Sequence, residues 1–537
     1  MRATHRAILF EALESRQLLY AGGTGLEATY FNTQSFTGTQ ASRVDAQVNF
    51  NFGSKSPAPG ISATTYTVRW TGQIKPAFSE QYTFTLKSDD GVRLWINHQR
   101  VISDWGQSGL STSSGQITLI AGKKYDIQLE YRQKTGTAAV QLFWSSPSMP
   151  QALVPKSRLF PAAQNLNDKI DHAIAYAQSS LQQTLADMNG STANFPSITS
   201  SAGPWTFVNL RDWTSGFFAG SLWQMYQRTL TKSWRLSAQS LTEALAAGTN
   251  QPDDAGFRFL PSTLPLYQTL GRASDKQDLI NAAASMVATF NPKVGMFQTL
   301  DTIPSHSGNP NANFMVVLDE MMCVNLVYYA GKLTNNQAWI NMANSHVSKM
   351  IQTMIRPDGG TYQLGYYNSS TGAFVDGEAK QGLNDASTWS RGQAWAIYSL
   401  TDAYAETGRA DFLAAAKKTA DYYIAHLPAD DVPYWDFNAK VTSTTPRDSS
   451  AAAVAASALL KLASLLSGTT DGARYKAAAE GTLNSLTSST YLAEGSTSHG
   501  ILLHGAKWVA KGMTDNSLVY GDYYFLEALN RYATLKF

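Results

Sequence analysis

Apolar and polar residues alternate along the first third of the chain and then change period. Tyr66-Thr-Val-Arg-Trp70, Gln81-Tyr-Thr-Phe-Thr-Leu86, Val92-Arg-Leu-Trp-Ile96 and Tyr125-Asp-Ile-Gln-Leu-Glu-Tyr131 set an apolar side chain at every second position. That is the period of a half-buried strand. Gly, Asn, Asp and Ser separate the runs, so residues 25–161 are expected to form an antiparallel β-sandwich. Past Pro161 the period becomes helical. Ile170, Ile174, Ala177 and Leu181 fall on one face of a helix predicted over Asp168–Leu185. Further helical runs follow to the end of the chain, so residues 162–537 are expected to form a second, all-α domain.

Four glycines punctuate that domain: Gly271, Gly331, Gly408 and Gly468. Each is read as the residue that closes a helix, because glycine tolerates the positive φ found there. They recur at roughly 60 residues or somewhat more, one helical hairpin plus a loop. About a dozen paired helices in one domain imply a closed ring of hairpins, with ligand-binding loops gathered at one face. A helical solenoid is the competing architecture, and uneven spacing with long Trp- and Gly-rich loops argues against it.

Composition narrows the partners. Against 42 Lys and Arg stand 40 Asp and Glu, and the basic stripe of a nucleic-acid binder is missing. An anionic ligand must therefore be met by local groups. Thirteen Trp and twenty-five Tyr are a heavy load; many belong in a core, and sugar clefts also use such rings as platforms. No run is long and apolar enough to cross a bilayer. The single cysteine, Cys323, excludes an intrachain disulfide and reads as a small core residue. The first 24 residues have a basic start, short apolar patches and a small-residue end. They resemble an export-associated element, which implies a secreted, periplasmic or cell-surface protein.

Candidate chemistry lies in three segments of the helical domain. Asn313-Phe-Met-Val-Val-Leu-Asp319 continues to Ala330 as an apolar run read as one helix. Asp319 would point into the ring, where burial favours its protonated form; a structural Asp bonded to a neighbouring helix is the plainer reading. Asp254 precedes a helical run, an N-cap-like place that favours the charged form, and most such Asp residues are simply caps. Two carboxyls pushed in opposite directions suit acid–base chemistry. In Gln381 to Trp395, Gln381, Trp389, Arg391, Gln393 and Trp395 form a candidate binding wall, with Arg391 as a fork for a carboxylate. Lys507 and Lys511 could meet a sulfate, but solvated surface lysines are the simpler reading.

Six segments occur in order: Asp212-Trp-Thr-Ser-Gly-Phe-Phe-Ala-Gly220, Asp254-Ala-Gly-Phe257, Val317-Leu-Asp319, Ser387-Thr-Trp-Ser-Arg-Gly-Gln-Ala-Trp395, Arg447-Asp-Ser-Ser-Ala451 and Tyr520-Gly-Asp-Tyr-Tyr-Phe-Leu-Glu-Ala528. Together they resemble glycoside hydrolase family 88, the unsaturated glucuronyl hydrolases. The resemblance implies an (α/α)6 barrel without a catalytic cofactor. It also implies acid-catalysed hydration of the C4=C5 bond of a non-reducing-end unsaturated uronic acid. Asp319 matches the family's general acid/base and Asp254 its second aspartate. Trp213, Gln363, Gln381, Trp389, Arg391 and Trp395 match pocket positions. Gln363 replaces a His, Leu300 a Trp, and Asp253 a His, which leaves the sugar beyond the uronate open: glycosaminoglycan, ulvan, gellan or xanthan fragments all fit. An unsaturated rhamnogalacturonyl hydrolase acting on pectin fragments, or a non-catalytic surface glycan-binding protein, are the alternatives. Retention of both aspartates and the Arg391 segment argues against the latter.

In the N-terminal domain, Ser88-Asp-Asp-Gly-Val-Arg-Leu-Trp-Ile-Asn97 with Leu142-Phe-Trp144 resembles the protective-antigen-type (PA14-like) β-sandwich. The resemblance implies a module that contacts polysaccharide, with Asp89 and Asp90 as ligands of a Ca²⁺ ion. A turn with solvated carboxylates is the competing reading.

Overall fold

The computed structural model describes residues 25–38, 40–161, 166–200, 203–299 and 309–537. The export-type segment over residues 1–24 and Leu300 lie outside the described residues. The chain divides into two compact units, with the boundary after Asn165.

The first unit is a sandwich of two antiparallel sheets. One runs in the order Gln40–Asp45, Leu26–Phe31, Tyr66–Ile74, Tyr125–Gln133, Gly91–Ile96, Gln99–Asp104, with Leu159–Pro161 added to Tyr66–Ile74. The other runs Met149–Leu153, Ala138–Ser146, Glu80–Asp89, Ser111–Leu119, with Asn49–Gly53 added to Ala138–Ser146. All four predicted strands lie within observed ones. Their inward residues, among them Trp70, Leu94 and Leu129 from one sheet and Phe84, Val140 and Trp144 from the other, form a single core. The alternation in sequence is therefore burial of one face of each sheet.

Asp90 is almost fully buried at the end of this core. Its Oδ1 accepts the Gly109 N–H at 2.8 Å, and its Oδ2 accepts those of Lys134 at 2.7 Å and Thr135 at 3.3 Å. Asp89 accepts the Thr137 hydroxyl at 2.9 Å. Backbone N–H groups clamp the Asp90 carboxylate, while that of Asp89 is held by a side-chain hydroxyl. Among the described residues no group of three or more His, Cys, Asp or Glu is placed to hold a metal ion. Calcium takes six to eight oxygens, carbonyls and waters among them, so two carboxylates would be only part of such a shell, and no step below depends on that ion.

The second unit is built of helices. In chain order they are α1 (Leu166–Met188), α2 (Ser215–Thr229), α3 (Lys232–Leu245), α4 (Ala255–Phe259), α5 (Thr263–Leu270), α6 (Ala273–Val287) and α7 (Glu320–Leu333). Then come α8 (Gln337–Thr353), α9 (Ser390–Thr407), α10 (Ala410–Ala425), α11 (Ser449–Leu465), α12 (Thr470–Leu486) and α13 (Val519–Thr534). Neighbour packing closes a ring of α2, α4 with α5, α7, α9, α11 and α13, and α13 returns to α2. The remaining helices form the outer layer, giving the (α/α)6 barrel that the repeated hairpins imply.

Sequence separates the two layers. Outer helices are amphipathic: α3 buries Trp234, Ala238, Leu241, Thr242 and Leu245 along one face. Inner helices are buried nearly all round. In α11 the run Ala451-Ala-Ala-Val-Ala-Ala456 is wholly buried, and its small side chains admit close neighbours on both sides.

Two local expectations need correction. Gly271 and Gly408 do close helices with positive φ, but Gly331 lies inside α7. A Cβ there would sit 2.9 Å from Ile340 Cγ1, so that glycine serves helix packing, not termination. The apolar run from Asn313 is not one helix. Phe314–Val317 is a strand paired with Leu364–Tyr367, which in turn pairs with Phe374–Glu378. Its β-branched valines suit a strand, and helix begins only at Glu320.

Candidate active site

The inner helices point their first turns at one end of the barrel. A cavity of about 230 Å³ lies there. It is lined from residues just before or within the first turns of α2 (Trp213), α4 (Asp253, Asp254), α7 (Asp319, Glu320), α9 (Trp389, Arg391, Trp395) and α13 (Tyr520), and from loops by Gln363, Gln381 and Lys507. Asp448, at the start of α11, stands behind Arg391. Five of these six helix starts carry no side-chain cap, Asp448 being the exception. The positive ends of the helix dipoles thus converge on the cavity and favour an anionic guest. The single turn of α4 adds least.

At the opposite end, a larger cavity of about 330 Å³ has its charges paired within the protein. Lys461 Nζ lies 2.6 Å from Asp402, and Arg531 Nη2 3.2 Å from Glu527. Cations suit the negative helix ends there. Size alone would choose the wrong cavity.

Asp319 lies at the switch from strand to helix. Leu318 N–H donates to the Gln363 carbonyl at 2.8 Å, so the three-stranded sheet delivers Asp319 to the first turn of α7. It is half-buried, less enclosed than the helical reading expects. Asp254 does precede a helix, but its side chain makes no capping bond and its backbone is left-handed, φ 53°. Asp tolerates that region at a cost of about 1–2 kcal/mol. Gly256 explains how the two carboxyls meet, because a Cβ there would lie 2.2 Å from Cys323 Cα in α7. Only glycine lets α4 come this close.

The cluster contains a carboxyl that sequence reasoning passed over. Glu320 is 6% exposed. Burial first, then the neighbouring charges of Asp254, Asp253 and Asp319, push its carboxyl well above the usual range, against a Thr299 hydrogen bond that lowers it. A charge beside Asp319 in an otherwise apolar run was the available signal. Buried Cys323 is the core residue expected of it; burial and then Glu320 and Asp254 push its thiol up.

Arg391 is more committed than a free fork. Its Nη1 lies 2.5 Å from Asp448 Oδ2 and donates to the Ala506 carbonyl at 2.7 Å, while Nη2 donates to the Lys507 carbonyl at 2.8 Å. The guanidinium lies between the Trp389 and Tyr520 rings, 4.4 and 5.3 Å from their centroids. Its charge is paired, so it shapes the wall and holds the 506–507 loop. Gln363 and Gln381 form an amide ladder. Gln363 Nε2 donates to Gln381 Oε1 at 2.7 Å, the Gln381 N–H returns to Gln363 Oε1 at 2.6 Å, and Gln381 Nε2 reaches the Lys507 carbonyl at 2.9 Å. Lys507 thus has its backbone fixed twice and its side chain in the cavity. Burial lowers its pKa, Asp212 opposes that, and Arg391 adds to it. The surface reading fails for Lys507 but suits Lys511, which is exposed over Trp508.

Gln393 does not belong to the wall. It is fully buried and donates to the carbonyls of Gly359 at 2.8 Å and Thr419 at 2.9 Å. It stands two residues, about 200° of helix phase, from both Arg391 and Trp395, and so faces away from the cavity. Trp389 and Trp395 line the cavity but are nearly buried, and Trp213 is the more open ring.

A barrel of paired helices, with carboxyls, rings and a cation gathered at the inner-helix starts, is the architecture of an α/α-barrel glycosidase. The glycosyl hydrolase family 88 model matches residues 187–534, and the PA14 domain model matches residues 22–157. An unsaturated glucuronyl hydrolase of Formosa agariphila is 33% identical over 377 residues, covering 68% of this chain and 92% of that protein. One from Bacillus sp. strain GL1 is 30% identical, covering 65% and 96%. The crystal structure of an unsaturated glucuronyl hydrolase specific for heparin is similar at 33% identity with a TM-score of 0.63, covering 68% of this chain and 96% of that one. The chain belongs to glycosyl hydrolase family 88 and is an enzyme of the unsaturated glucuronyl hydrolase type.

Proposed function

We propose that the enzyme removes a 4,5-unsaturated uronic acid from the non-reducing end of lyase-generated oligosaccharides by hydrating its double bond. The observation that carries this reading is the polarity of the cavity. Four carboxyls come from residues 253–254 and 319–320, while Lys507 stands with Arg391. A uronate carboxylate turned toward Lys507 sets its C4=C5 bond toward Asp319. Asp319 gives its proton to C4, and positive charge spreads over C5 and the ring oxygen. Water adds at C5 and returns a proton to Asp319, and the hemiketal opens to release the aglycone. Asp254 stays ionised and helps Asp319 keep its proton, because clustered carboxyls resist joint ionisation. Export through the N-terminal segment would place this work outside the cytoplasm.

The test is a panel of unsaturated disaccharides differing in parent polysaccharide and sulfation, followed by ultraviolet absorbance of the conjugated bond. Loss of absorbance on at least one is expected; no change on any would sink the reading. Lys507→Met removes the cation and keeps the length. It is expected to raise KM about tenfold, the weight of a partly desolvated charge contact of about 1.4 kcal/mol, with kcat much less affected. An unchanged KM would remove Lys507 from substrate binding.

A further inference from the structure

Hydration as described gives Glu320 no task, yet its surroundings are specific. It follows Asp319 directly, lines the same cavity and is buried. Asp253 and Asp254 face it from the loop before α4, and Asp319 and Cys323 from its own segment. Arg258 acts on Asp254, Cys323 and Asp253. That guanidinium is spent on the carbonyls of Gly248, Gln251 and Asp253 at 3.1, 2.6 and 3.2 Å. From the loop before Leu300, Thr299 Oγ1 accepts the Val317 N–H at 3.1 Å, which leaves the hydroxyl proton for Glu320. A relay from strand to hydroxyl to carboxyl thus ties the first residue of α7 to the strand that delivers Asp319.

A charged Glu320 would add a further negative charge to a cavity that must admit a sugar carboxylate. Neutral, it keeps a bond to Thr299 and avoids both the burial cost and the repulsion. We propose that Glu320 is a positioning residue that serves the reaction as an uncharged acid: neutral, it lets the carboxyl cluster accept an anionic substrate; ionised, it drives that substrate out. The proposal rests on the substrate being an unsaturated uronate. The upward displacement of the Glu320 carboxyl by burial and its neighbours agrees with it.

The sign follows directly. Glu320 is protonated below its pKa, so binding is intact at lower pH and is lost as pH rises through that value. Repulsion of substrate appears in KM, whereas loss of the Asp319 proton in the complex appears in kcat. Both constants are to be measured for the full chain on a turned-over disaccharide from about pH 5 to about pH 10. Glu320→Gln keeps the shape and cannot ionise, and is expected to move the alkaline rise of KM upward by about one pH unit or more. Thr299→Val removes a donor that favours the charged form, so it is expected to move the same rise upward with Glu320 intact. Thr299→Ser restores it. A KM profile in Glu320→Gln that coincides with wild type, or an alkaline loss confined to kcat, overturns the proposal. Should Glu320→Gln fail to fold by circular dichroism, the Thr299 pair decides: an upward shift reversed by Ser supports it, no shift overturns it. Failure of the wild-type protein on every disaccharide is a separate result and removes the substrate reading itself.

Discussion

Asp319→Asn is expected to lower kcat on an unsaturated disaccharide by about 10³-fold, within the range that general acid–base catalysis supplies. The amide has almost the same shape and keeps hydrogen bonding, but it has no proton acidic enough to give to an enol-ether carbon. KM is expected to change little, because Lys507 and the rings, the groups proposed to hold the substrate, line the same cavity and are left unchanged. The fold is expected to survive. Asp319 makes no side-chain cap to α7, so its replacement removes no helix-capping bond. The measurement is the initial rate of absorbance loss at saturating substrate, with circular dichroism as the folding control. A variant that kept more than about a tenth of the rate would move the acid elsewhere, and Glu320, one residue away and buried, would be the first group to examine.

Much of this site is legible in the sequence because the fold concentrates it at helix starts. Asp254, Asp319, Trp389 and Tyr520 fall at or just before the first turns of inner helices, and the short motifs that carry them stand in order along the chain. The misreadings have local causes. The Asn313 run is apolar throughout, and both a strand and a buried helix satisfy such a run, so only pairing with Leu364–Tyr367 decides it. Gln393 lies between Arg391 and Trp395 in sequence, which suggests a place on the wall. At 100° per residue, a position between two cavity-facing residues need not face the cavity. Glu320 was hidden by the aspartate before it. Asp448 stood in a recognised motif with no role attached, since an ion pair across 57 residues of chain leaves no periodic signal. The preference of Gly256 for close helix contact is likewise a tertiary fact, visible only once α7 stands beside α4.

That hidden pair gives the largest expected change in stability. Arg391 and Asp448 are 3% and 0% exposed in their side chains. Removing one partner strands the other charge without water, so Asp448→Ala is expected to cost about 4 kcal/mol of barrel stability. A surface pair gives the contrast: Arg409 and Asp411, 38% and 55% exposed, are worth at most about 1 kcal/mol. Part of the Asp448 loss is its cap. Oδ1 accepts the Ser450 and Ala451 N–H groups at 3.1 and 3.3 Å and the Ser450 hydroxyl at 2.6 Å. Asp448→Asn keeps an acceptor for that cap and loses the charge, so it is expected to fall between wild type and Ala. Arg391→Met in the Asp448→Ala background removes the stranded cation and is expected to recover part of the loss, which separates charge burial from capping. The variants can be ranked by denaturant unfolding followed through tryptophan fluorescence. Catalysis should follow the same pair, because Arg391 holds the carbonyls of Ala506 and Lys507. Freed from Asp448, it no longer fixes the loop that presents the Lys507 ammonium, so KM is expected to rise before kcat falls. An Asp448→Ala protein within about 1 kcal/mol of wild type would mean that water reaches the guanidinium. Arg391 would then be available to the substrate carboxylate after all, as the fork that its sequence position suggests.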